Sequence, residues 1–219
     1  MRTDYERNLK QLQDNVLAMG SMVEKAIGLS MESMKNRDVE LAHRVVEDDA
    51  LINTKRFEIE EDCIHITATQ APMARDLRII VAVLNIIIDL ERIGDHAAGN
   101  AKIAIMLGEE PPLKPLIDLP LMADKTMDML HRALDAFIKR DADAARAITA
   151  EDDEVDALYD KIFHELLLFM ADDPKTVNRA TRLIWAAHNM ERSADRVTNI
   201  CERVVFVVTG KQEEIAGKY

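Results

Sequence analysis

The stretch LRIIVAVLNIIIDLERIGD, Leu77 to Asp95, decides the fold. Leu77, Val81, Leu84 and Ile88 recur every three or four residues, the spacing of one helix face, and are expected to point into a helical core. The same stripe runs on to Glu91 and Asp95. The apolar run from Ile79 to Ile88 is interrupted by Asn85 and bounded by Arg78 and Asp89, well short of the roughly 18 residues that a membrane-spanning helix needs.

A second segment is built the same way. From Val177 through Ala180, Ile184 and His188 the stripe again leads to Glu191 and Asp195, with Asn199 one turn further on. The likeness extends outward: Asp38 stands to Asp141 at the same separation as Asp49 to Asp152, and Glu91 to Glu191 at one three residues shorter. A near-constant offset signals a tandem duplication. Pro111, Pro112, Pro115 and Pro120 cluster midway and mark the linker.

Pro72 and Pro174 each open one of the long periodic segments, and Gly108 and Gly210 close them, as helix ends prefer. Asp38 and Asp141 are N-cap residues in type and place. Helices are therefore predicted over about 3–36, 38–69, 72–107, 117–140, 142–171 and 174–209. Three apolar-seamed helices are enough to enclose a core. The fold class is all-α: a first three-helix bundle over 1–110, a proline-rich linker over 111–120 and a second bundle over 121–219.

Composition agrees. The 219 residues are 48% hydrophobic but only 4% aromatic, an aliphatic mixture suited to helices and too apolar for a disordered tail. Forty acidic residues against 28 basic ones give a net charge of -12, which opposes binding to nucleic acid or an anionic membrane surface. The N-terminus has no basic flank leading into an apolar segment, so a cytoplasmic location is expected. Cys63 and Cys201 are far apart in sequence and are expected to be core thiols.

The chemistry is concentrated in the two Glu-x-x-x-Asp pairs. Like charges at i and i+4 weaken a helix, and an unpaired buried carboxylate costs far more, so each pair calls for a cation. A metal ion answers that need; so do Arg92, Arg192, Arg196 or basic residues of neighbouring helices. Glu47-Asp48-Asp49 and Glu151-Asp152-Asp153 supply a third acidic group if they lie at the same height, which makes Asp49 and Asp152 candidate ligands. An all-oxygen set suits hard or borderline ions such as magnesium, manganese or iron. His188 lies three residues before Glu191, but its repeat counterpart is Ile88, which favours a packing histidine. No phosphate-cradling glycine loop, nucleophile elbow or histidine and cysteine constellation is present.

QAPMARDLRIIVAVLNIIIDLERIGDHA, Gln70 to Ala97, and NMERSADRVTNICERVVF, Asn189 to Phe206, closely resemble the PhoU family. Met19-Gly20, Met22 to Ala26, Arg37-Asp38 and Val45 to Asp49 fit that family's opening helices. The resemblance implies two three-helix bundles with an acidic motif in each that holds metal ions, in some members iron clusters. Glu91 with Asp95 and Glu191 with Asp195 match that motif, and Asn199 matches a further family position. The first half has Gly99 at that place and Asn100 beside it, which implies a first site coordinated differently or more weakly.

The family's role, by the same resemblance, is to hold the phosphate-starvation response off when phosphate is plentiful. It does so as an adaptor between the subunits of a phosphate ABC transporter and a sensor histidine kinase, commonly as a homodimer, without catalysis of its own. Iron, zinc, manganese and magnesium are the implied metals. Two other readings of the residues stand beside this one: a carboxylate-bridged metalloenzyme of the helical-bundle type, and a metal-free helical scaffold with surface ion pairs.

Overall fold

The computed structural model describes residues 2–108, 110–213 and 215, and they contain helices and no strand. The first half has three helices: α1 (Arg2–Asn36), α2 (Val39–Gln70) and α3 (Arg75–Leu107). The second has α4 (Asp118–Lys139), α5 (Ala142–Thr149), α6 (Asp152–Asp172), a 3₁₀ turn (Pro174–Thr176) and α7 (Val177–Thr209).

The predicted caps are in place and equivalent. Asp38 accepts a hydrogen bond from the Leu41 N–H and Asp141 from that of Ala144, at 2.8 and 2.9 Å. Each follows a left-handed residue, Arg37 or Arg140, that turns the chain out of the preceding helix. Pro72 does not open α3. Ala71 and Ala74 both take positive φ and swing the chain through a short loop, so the helix begins at Arg75. Pro174 opens the 3₁₀ turn, with Asp173 capping Lys175 N–H.

The helix expected over 142–171 is two helices. Ala150 and Glu151 sit near ψ of -15° and -11°, and the Glu151 and Glu154 N–H groups reach back only three residues, to Ile148 and Glu151. Thr149 hydroxyl bonding to the Arg146 carbonyl and the Arg132 guanidinium of α4 gripping Glu151 hold this tight turn. No glycine or proline marks it in the sequence.

Helices α3 and α7 run antiparallel through the middle of the molecule, with α1 and α2 packed on α3 and α4 to α6 on α7; α1 also meets α4. The halves therefore share a wall, and one contiguous apolar core crosses it. Polar rungs set its register: His96 to Ser193 at 3.1 Å, Asn189 to Asn100 at 2.8 Å, and Arg196 to Asp89 at 3.4 Å. Burial and the neighbouring Arg196 and Arg192 charges depress His96 to about 4, so that rung is neutral at pH 7.

The stripe chosen from the sequence is not the core face. Leu77, Val81 and Ile88 are 42%, 40% and 45% exposed, and Val177 is likewise exposed. The core side of α3 is Ile79, Ile80, Val83, Ile86, Ile87, Leu90 and Ile93, and that of α7 runs through Leu183, Ala187, Met190, Ala194 and Val197. Only Ala180 of the expected set in α7 is fully buried, Ile184 being partly so. A helix wrapped on several sides is apolar over most of its circumference, so more than one stripe satisfies the periodicity. Both Glu-x-x-x-Asp pairs consequently lie at the margin of the core and not inside it.

Candidate metal centre

In the first half Glu91 and Asp95 face α2. Gly94 lies between them, and its missing side chain lets Ile52 come close, since a Cβ there would lie 3.1 Å from Ile52 Cδ1; Asp49 Oδ1 lies beside the same point, at 3.6 Å. Burial, and then the charges of Asp95 and Glu91, push the Asp49 carboxyl above its ordinary value, while Lys102 and an Asn53 amide hydrogen bond at 3.3 Å pull it back. Arg56 of α2 reaches Glu91 Oε1 at 3.4 Å and Glu60 at 3.4 Å, and Arg92 reaches Asp95 at 3.2 Å. Asp49, Glu91 and Asp95 are thus brought together, with basic or amide groups already on each.

The second half repeats the layout with different partners. Asp152 begins α6, and burial raises its carboxyl to about 7, reinforced by the charges of Asp156, Asp195, Glu191 and Asp153. Glu191 is likewise raised to about 7 by burial first and by Asp195 next. One oxygen on each, Asp152 Oδ1 and Glu191 Oε2, is buried without a hydrogen-bond partner. Asp195 is held by Arg192 at 2.7 Å.

Asp156, not among the residues that the sequence singles out, belongs to this group; burial and the charges of Asp195, Asp153 and Asp160 raise its carboxyl. It lies one turn after Asp152, so Asp-x-x-x-Asp on α6 faces Glu-x-x-x-Asp on α7. The rule that picked out the first two pairs also finds this one.

His188 is not a packing histidine. Its side chain is 53% exposed, its Nδ1 stands 3.3 Å from Glu191 Oε2, and its ring lies 6.0 Å from that of Tyr159. Asn199 donates its amide to Asp89 Oδ1 of α3 at 3.5 Å, which draws it to the α3/α7 wall. Glu151, the first residue of the second acidic cluster, is committed to Arg132. Cys63 and Cys201 are buried thiols, raised to about 12 mainly by burial.

Among the described residues no three His, Cys, Asp or Glu side chains already converge as a coordination sphere. Carboxylates repel one another and turn apart unless a positive charge stands between them. The donor chemistry and the buried Asp152 Oδ1, which has no hydrogen-bond partner, nevertheless fit a cation in the second half. The first half fits less well, since Arg56 and Asn53 already use its oxygens.

The family model described as PhoU domain matches residues 16–104 and again 119–204, one copy per half. A phosphate-specific transport system accessory protein PhoU homolog of Clostridium acetobutylicum is 37% identical over 98% of this chain and 98% of its own. The Escherichia coli phosphate-specific transport system accessory protein PhoU is 34% identical over 94% of this chain and 86% of its own. The crystal structure of PhoU from Pseudomonas aeruginosa superposes with a TM-score of 0.89 at 36% identity, covering 94% of this chain and all of that one. With one matching domain in each half and both its sequence and its helices shared over nearly their full length, this chain belongs to the PhoU family.

Proposed function

We propose that the protein is a regulator of phosphate homeostasis, an adaptor that represses the phosphate-starvation response when phosphate is plentiful by working between a phosphate ABC transporter and a sensor histidine kinase. The observation that carries this reading is the 34% to 37% identity, over nearly the whole chain, to proteins named as accessory to phosphate-specific transport. No helix among the described residues is long and apolar enough to cross a membrane, in keeping with a protein that docks on membrane complexes from the cytoplasm. We read it as a non-enzymatic homodimer.

The carboxylates of Asp152, Asp156, Glu191 and Asp195 would hold a hard or borderline cation, iron, manganese, magnesium or zinc, whose charge offsets their repulsion and ties α6 to α7. Asp49, Glu91 and Asp95 are the first half's counterpart, already neighboured by Arg56, Arg92 and the Asn53 amide, and Asn199 stands one turn beyond the second set. The binding energy then supports the surface these helices present, in the manner of a structural site.

A reporter of the phosphate-starvation response, measured in phosphate-rich medium after deletion of this gene, is expected to switch on and to fall silent when the intact gene is restored. A reporter that stays off in the deletion strain overturns the regulatory reading.

A further inference from the structure

We propose that Arg56 is a built-in counter-cation for the first-half carboxylates, so that the chain takes up its metal ion in the second half alone. This rests on the cation reading of the acidic pairs given above.

The two halves place the same backbone positions around each pair, so their differences are informative. Asp49, Asn53 and Arg56 of α2 stand where Asp152, Asp156 and Tyr159 stand in α6. In the first half Arg56 lies across the α2/α3 seam with one guanidinium nitrogen toward Glu91 and another toward Glu60, and its plane sits over the Phe57 ring at 5.0 Å. Glu91 is only 14% exposed and Arg56 24%, so the pair is shielded from solvent on most sides. A guanidinium held this way supplies fixed positive charge where a metal ion would otherwise supply it. Asn53 replaces a carboxylate by an amide that donates to Asp49, which removes one negative ligand and occupies an oxygen of another.

In the second half both substitutions run the other way. Tyr159 brings no charge, and Asp156 adds a carboxylate. Asp152 has no hydrogen-bonded cation, its buried Oδ1 has no hydrogen-bond partner, and Glu191 Oε2 has only His188 Nδ1 near it, at 3.3 Å. Arg192 serves Asp195, and His188 stands beside Glu191 at the exposed rim. Four carboxylates against one arginine leave a net negative pocket. In the first half Arg56, shared between Glu91 and Glu60, Arg92 on Asp95 and Lys102 acting on Asp49 put positive charge beside every carboxylate of the set.

The test is manganese uptake by the metal-stripped full chain, followed by calorimetric titration and by metal content after gel filtration. The wild type is expected to bind Mn²⁺, the D152N/E191Q variant to lose roughly 100-fold or more in affinity, and the D49N/E91Q variant to bind as the wild type does. Giving the first half the residues of the second, N53D/R56Y, is expected to double the bound Mn²⁺. Should that variant fail to fold by circular dichroism, Arg56→Gln replaces it, with uptake above the wild-type amount as the expected result. Uptake lost in D49N/E91Q, retained in D152N/E191Q, or unchanged in a folded N53D/R56Y overturns the assignment to one half. A wild type that binds no Mn²⁺ overturns the cation reading itself.

Discussion

Replacing Asp152 by Asn and Glu191 by Gln is expected to stabilise the metal-stripped protein at pH 7.5 by about 1–3 kcal/mol in chemical denaturation. Both carboxyls are raised to about 7 in the folded protein, whereas in the unfolded chain they titrate near 4. Below pH 4 they are protonated in both states, and the folded state has its full advantage. Between pH 4 and 7 only the folded form retains the protons, so that advantage is lost as the pH rises. Solvent at this partly exposed rim screens the repulsion, which keeps the figure below what the shifts alone would imply. The wild type should therefore weaken from pH 4 to 7 by more than the variant does. Parallel profiles would show that these carboxylates are ordinary solvated groups.

Removing Arg196 has the opposite sign. Arg196→Ala is expected to cost about 2–4 kcal/mol at pH 7.5, because it leaves Asp89 buried in the α3/α7 wall with the long Asn199 hydrogen bond and the weaker influence of the Arg203 charge. Asp89 is 8% exposed, and burial raises its carboxyl despite the opposing Arg196 charge and the Asn199 and Arg196 hydrogen bonds. Without the arginine that rise is larger, so the loss should shrink at acid pH, where the carboxyl is protonated. Asp89→Asn combined with Arg196→Ala should recover much of the stability at pH 7.5. A single variant as stable as the wild type would remove this ion pair from the forces that join the halves.

The first half was legible in outline because its breaks carry chemical signals. Arg37-Asp38 stops one helix and caps the next, and Pro72 stands at the following break, although the left-handed Ala71 and Ala74 delay α3 to Arg75. The α5/α6 break carries no such signal, since an arginine from α4 gripping Glu151 belongs to tertiary packing. The stripe through Leu77, Val81 and Ile88 was the wrong one of two apolar phases, because α3 is covered by α1, α2 and α7 and its true core side cannot be separated by periodicity.

The carboxylate pairs were visible, and so was the need for a cation. Which cation serves which half was not, since Arg56 meets Glu91 only through the register of α2 on α3. Asp156 was available to the same spacing rule as Glu191 and Asp195. Comparison of His188 with its repeat counterpart Ile88 does not predict burial, since Ile88 is itself 45% exposed.

The measurement that bears most directly on a cation-holding regulator is the phosphate-starvation reporter in phosphate-rich medium with D152N/E191Q as the sole copy of the gene. The variant is expected to be folded and more stable than the metal-stripped wild type, so that loss of function is not loss of fold. A reporter that switches on to the level of the deletion strain is the expected result; a reporter held off as firmly as by the wild type, with the variant present at equal abundance, would contradict it.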